Sequence, residues 1–273
     1  MITFIKNLSP FTVTITLLII LVVIMLAPLD ALLLHVIEDE FRLRYVGLAI
    51  RMSLLFLLGY KAIRVFNIKT VSGLSKQYHW RFKYLNLIPV YLIILGILSV
   101  YPINFSAINP FNLLLLLVAT LMVGFAEEYL FRGVLQSVYL KKYVQKKNGI
   151  LISIFFSALA FGSFHLLNLT KDYQTGEILV QVVYAFFIGF FFGALLLKTN
   201  KLIPIAITHG LIDFFFLLAT LPGLKTEEIE ATEEISLAPI FLCLPLFIIG
   251  LLIYKKLDKT DVIEKIKSEN TQN

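Results

Sequence analysis

Eight apolar runs, at roughly 11–29, 45–66, 84–101, 112–140, 149–169, 179–198, 202–220 and 237–254, take up most of this 273-residue chain. A helix of about 20 apolar residues crosses the hydrocarbon of a bilayer. Backbone groups find no water there, so only helices and closed barrels are stable. Runs of this length lack the short alternating pattern of barrel strands. The chain is 59% hydrophobic and 15% charged, whereas soluble domains run at roughly half and a quarter. The expected fold is all-α: a polytopic membrane bundle of about eight transmembrane helices.

Lys and Arg decide which side is which. Placing the N-terminus in the cytoplasm puts Lys6, the basic residues of the 61–83 loop, Lys141, Lys142, Lys146, Lys147, Lys198, Lys201 and the tail lysines there. The opposite side receives most acids, among them Glu227, Glu228, Glu230, Glu233 and Glu234. An even number of spans returns the C-terminus, so both termini are expected to be cytoplasmic. The net charge of +6 then reads as a topology signal, and no nucleic-acid partner is expected. The first run is long for a signal peptide and reads as a retained helix. Cys243 is the only cysteine, hence a buried filler without a disulfide. Tyr78, His79, Trp80, Arg81 and Lys83 mark an interfacial segment. The chain reads as one integral membrane domain over 1–273, with a polar cytoplasmic tail over 257–273 that is helical or frayed.

Against this apolar background a few ionisable residues stand out. Glu127 and Glu128 follow a long apolar run, with Arg132 four residues after the second; His165 lies on the next run, and His209 and Asp213 on the seventh. A charge at the centre of a spanning helix costs about 2.5–3.5 kcal/mol or more. Residues four apart share a helical face, so Glu128 can pair with Arg132 and His209 can meet Asp213. Glu127 points about 100° away from Glu128 and is free for another partner. Each residue also has a bland reading: an intramembrane histidine can hydrogen-bond a neighbouring helix, and a Glu–Arg pair can be purely structural. That reading explains six such residues on three spans poorly. Gly189 and Gly193 form a small-residue face, read as packing that supports the core without entering the chemistry. His35 and His79 fall in loops and read as solvated.

Glu127-Glu128-Tyr-Leu-Phe-Arg132-Gly133, Phe161-x-x-x-His165 and His209-x-x-x-Asp213, in this order and each on its own apolar run, resemble the three-motif signature of the CPBP family. These are CAAX-processing type II and bacteriocin-processing (Abi) intramembrane proteases. The resemblance covers about 110–220; the first ninety residues carry no family motif. It implies an endopeptidase that cuts at or near the membrane. The implied catalytic residues are Glu127, Glu128, His165, His209 and Asp213, supported by Arg132 and Phe161. Glu127 would be the general base on a water that His165 helps to hold. His209 and Asp213 would stabilise the oxyanion or complete the water site, while Glu128 and Arg132 position the helix and polarise the site. The third motif usually ends in Asn, or in Asp in many bacterial-type members, so Asp213 falls within the pattern yet leaves open whether this position acts as an amide-like donor or as an acidic ligand.

Family members have been described both as metalloproteases and as metal-independent glutamate proteases. If a metal is used, Zn held by Glu127, His165, His209 and Asp213 is the implied site, assembled across helices because HExxH is absent. The implied partners are the lipid bilayer and a peptide, lipidated-protein or membrane-protein substrate, in a prokaryotic cytoplasmic membrane. Two other classes remain: a non-catalytic immunity or scaffold member of the family, and a proton-coupled transporter. The cavity is expected between the fourth, fifth and seventh runs, nearer the cytoplasmic side.

Overall fold

The computed structural model describes residues 8–101, 106, 108–170, 174–224 and 235–271, and among them there is no β-strand. Helices open where the sequence supplies a cap. Ser9 Oγ accepts from Thr12 N–H at 3.0 Å and starts α1 (Pro10–Leu26), followed by the short α2 (Leu29–Leu33). Asp39 accepts from Arg42 N–H at 2.7 Å and starts α3 (Glu40–Val65). A 3₁₀ turn (Lys83–Leu87) leads to α4 (Val90–Leu98). Asn109 caps α5 (Pro110–Glu127) by accepting from Phe111 N–H at 2.9 Å, with proline at the first position, where its missing N–H costs nothing. The chain continues through a π-helix (Glu128–Gln136) into α6 (Ser137–Tyr143).

A second set of elements follows a tight turn at Asn148. These are α7 (Gly149–Phe164), a 3₁₀ turn (His165–Thr170), α8 (Thr175–Thr199), α9 (Ile203–Leu217), a 3₁₀ turn (Leu218–Thr220), α10 (Ala238–Lys255) and α11 (Lys259–Thr271). Asn148 and Asn200 both adopt left-handed backbone (φ 64° and 65°) at the corners before α7 and after α8, a conformation asparagine tolerates better than most residues.

Seven helical stretches are long and apolar enough to span a membrane: Pro10–Leu33, Glu40–Val65, Pro110–Tyr143, Gly149–Thr170, Thr175–Thr199, Ile203–Thr220 and Ala238–Lys255. The protein is a multi-pass membrane bundle. The run at 84–101 departs from expectation: it forms the shorter apolar stretch Lys83–Leu98, broken where Pro89 interrupts the helix. It still passes from one end of the bundle to the other. Arg81 N–H donates to Thr199 O at one end, while Val100 packs with Tyr45, Leu116 and Leu221 at the other.

α5 is the axis around which the site is built, packed between α3 and α9, while α8 packs against α7 and α10. The α5–α9 crossing is close because glycines face each other. A Cβ on Gly124 would lie 2.5 Å from Gly210 N, and one on Gly210 would lie 2.7 Å from Leu121 Cα. Both obstacles are backbone, which cannot swing aside. Replacing Gly124 by Ala should therefore cost about 1–3 kcal/mol, read as a lowered melting temperature in detergent. It should also displace Glu127, which lies one helical turn further along.

The α1–α2 corner is tied down by Arg51, whose Nη1 donates to Asp30 Oδ1 at 2.8 Å and whose Nη2 donates to Ala27 O at 2.9 Å. The polar tail is not frayed: α11 docks against the basic end of the bundle. Glu269 accepts from Thr70 N–H at 2.8 Å and Val71 N–H at 3.0 Å, and Lys265 donates to Asn200 and to Asp261. Asp261, outside the spans, also meets Arg81 at 3.0 Å, and these two cations hold its carboxyl below the usual carboxylate range. His35 and His79 are exposed, and Cys243 is buried. Lys6 and the acidic run Glu227, Glu228, Glu230, Glu233 and Glu234 lie outside the described residues.

Candidate active site

Glu127 is the last residue of α5, and Glu128 opens the π-helix. The run at 112–140 reads as uninterrupted α-helix in sequence, so this wider turn is a departure from expectation. Such turns are rare and favour functional sites. They redirect backbone carbonyls, and two of these are taken up by hydroxyls: Ser157 Oγ donates to Phe131 O at 2.8 Å and Ser137 Oγ to Arg132 O at 3.3 Å.

Glu128 and Arg132 are completely buried, with Arg132 Nη1 3.0 Å from Glu128 Oε1. The same oxygen accepts from His209 Nδ1 at 2.8 Å. Arg132 makes no other ion pair among the described residues; its guanidinium lies 4.3 Å from the centre of the Phe161 ring and 5.9 Å from that of Phe192. Aromatic faces attract a desolvated cation, so Phe161 supports the site through Arg132 as well as by its position before His165.

The glycines of α8 make room for this arrangement. A Cβ on Gly189 would sit 3.1 Å from Arg132 Nη2, and one on Gly193 would sit 2.5 Å from Gln136 Oε1. Gln136 Nε2 donates to Gly193 O at 3.0 Å. The small-residue face thus touches the polar network directly, where the sequence had it as packing apart from the chemistry.

Because Nδ1 of His209 is committed to a carboxylate, Nε2 is the nitrogen turned to the reaction space. It lies 3.5 Å from Glu127 Oε2 and 3.7 Å from Asp213 Oδ2. His165 follows the end of α7, and its Nδ1 lies 3.1 Å from Phe161 O, with its ring edge-on to that of Phe161. This ties one nitrogen to its own helix. His165 meets the other site residues across a cavity rather than by direct contact.

That cavity, of about 500 Å³, is lined by Glu127, His165, His209 and Asp213 together. Expectation placed it between the fourth, fifth and seventh runs. The structure adds the end of α1 (Met25, Leu26), the middle of α3 (Leu48, Met52) and the start of α8 (Glu177, Ile178, Gln181, Tyr184). Its exposed lining residues, Leu26, Thr170, Glu177 and Phe216, lie at the end of the bundle opposite Lys141, Lys142 and Lys198. The rim therefore sits away from the basic end, whereas the cavity was expected nearer the basic, cytoplasmic side. The reason is that His165 lies at the far end of α7. The α8 stripe went unread because one Glu and one Gln in the first turns of an apolar run look like an ordinary helix start.

No group of three or more His, Cys, Asp or Glu side chains among the described residues is arranged to hold a metal ion. Glu127 and Asp213 converge on His209 Nε2, while His165 lines the same cavity and bonds Phe161 O through Nδ1, which leaves its Nε2 free.

Searches of curated proteins and of solved structures returned no match. Residues 109–215 match the family model described as type II CAAX prenyl endopeptidase Rce1-like. That segment contains all three motifs and begins at the cap of α5. Residues 109–215 are thus similar to the Rce1-like type II CAAX prenyl endopeptidases, in agreement with the CPBP resemblance of the motifs they carry.

Proposed function

We propose that this protein is an intramembrane endopeptidase that cuts a peptide bond with water activated by Glu127. The observation that carries this is the shared oxygen of Glu128. By holding Arg132 at 3.0 Å and His209 at 2.8 Å, it leaves His209 Nε2 beside Glu127 on the cavity wall. Similarity to that family supports a protease, and the arrangement supports these roles. Glu127 takes a proton from water as the water oxygen bonds to the substrate carbonyl carbon. His209 Nε2 holds the water or, when protonated, donates to the oxyanion. Asp213 stands on the other side of Nε2, and His165 faces the same space. Glu127 then returns its proton to the departing amine as the C–N bond breaks. Glu128 and Arg132 position His209 and do not touch the substrate.

In this reading no step passes through a metal. A membrane-permeant chelator should leave cleavage by the purified protein unchanged; loss of cleavage that Zn restores would refute metal independence.

In the prokaryotic cytoplasmic membrane we propose for it, both termini lie inside, because the basic residues gather at the α6, α8 and α11 end. The cavity rim then faces away from the cytoplasm. Substrates are peptides or membrane-protein segments presented on that outer side, which disfavours a cytoplasmic prenylated tail. Comparing the proteomes of membranes carrying wild-type or Glu127→Gln protein tests this: uncleaved precursors should accumulate with Glu127→Gln, their cut sites at the outer membrane surface. Identical proteomes would sink the protease reading, and cut sites on the cytoplasmic side would sink the orientation.

A further inference from the structure

The first two turns of α8 carry a polar stripe in an otherwise apolar helix. Glu177, Gln181 and Tyr184, at i, i+4 and i+7, all line the cavity, as residues on one helical face do. Glu177 is exposed at the rim, while Gln181 and Tyr184 are half-buried further in. On the opposite wall Asn168 donates through Nδ2 to Gln181 Oε1 at 2.9 Å. At ~1.5 Å per residue the stripe runs about 10 Å along the cavity, the reach of about three residues of extended chain.

Apart from His165 and His209, the charged residues along this path are acids. The lining holds three carboxyl residues, Glu127, Glu177 and Asp213, and no Lys or Arg. Glu127 and Asp213 are engaged with His209 on the wall. Glu177 has no ion pair among the described residues and takes no part in the mechanism.

We propose that Glu177 is a specificity-determining residue that favours substrates with a Lys or Arg about three residues from the cut bond. The extended chain lies along the Gln181–Tyr184 stripe. The proposal rests on the protease reading for what the bound segment is used for, but the charge preference is a property of binding alone. Glu177 is solvated, so the preference is modest, about fivefold, and weakens as salt rises.

The test uses full-length Glu127→Gln protein in nanodiscs and one fluorescent apolar decapeptide carrying Lys or Glu at each position in turn. Lys peptides should bind about fivefold tighter than Glu peptides at one or two positions. Adding Glu177→Gln should abolish the difference, and adding Glu177→Lys should reverse it. A merely structural role for Glu177 would not produce that reversal. Equal binding of both peptides, no binding of either, or a Lys preference that survives Glu177→Lys would overturn the proposal. Cleavage of the same peptides by the wild-type protein is scored separately. Charge-selective binding without cleavage would sink the protease reading and leave the role of Glu177 standing.

Discussion

Glu127→Gln is expected to lower peptide hydrolysis by about 10²–10⁴-fold, the usual contribution of a positioned general base. Gln matches the shape of Glu and can still sit beside His209, but it cannot accept a proton from water. Glu127 has no direct contact with Arg132 and faces the cavity, so the melting temperature in detergent should change little. Steady-state cleavage measured beside a thermal melt separates the two effects. Undiminished cleavage would remove Glu127 from the chemistry. A collapsed melting temperature would make it structural instead.

The largest loss of stability should follow Arg132→Met. Both Arg132 and Glu128 are completely buried, and Met removes the cation while roughly keeping the volume. Breaking a buried pair by deleting one partner typically costs about 3–5 kcal/mol, because the other charge is left uncompensated. His209 would then be the only remaining partner of Glu128 among the described residues, so the ring that faces Glu127 should shift and activity should fall too. Adding Glu128→Gln should restore much of the stability, since neither charge then remains, but should not restore turnover, since His209 loses its anionic anchor. Thermal melts of the two single variants and the double variant form the cycle that reads the coupling. If the two losses of stability simply add, the ion pair is not what holds this region together.

Much of the fold was legible in the residues because a bilayer leaves a helix few alternatives. Runs of apolar side chains marked the long helices, and Asp39, Asn109 with Pro110, and Pro204 stand at helix starts. The run at 84–101 crosses as a shorter helix than expected, since hydropathy counts apolar residues and is blind to what Pro89 does to a helix. The π-helix at Glu128–Gln136 was hidden for a similar reason: hydropathy and spacing carry no mark of a wide turn, which in the structure packs against Ser157 and Phe161 of α7. In the same way α11 reads as a loose lysine-rich tail until Glu269 is seen bonded to the backbone of Thr70 and Val71.

Charged residues in apolar runs carry their own signal, so the chain by itself determined a membrane bundle, the motif residues and the pairing of Glu128 with Arg132, all set by hydropathy and short helical spacings. Only the tertiary structure decided that His209 shares the Glu128 oxygen, that His165 reaches the site across a cavity, and that α1, α3 and α8 complete its walls. These contacts join residues far apart in sequence. They depend on how closely helices approach, which Gly124 and Gly210 permit at one crossing and Gly189 at another; periodicity along a single helix carries no record of such distances.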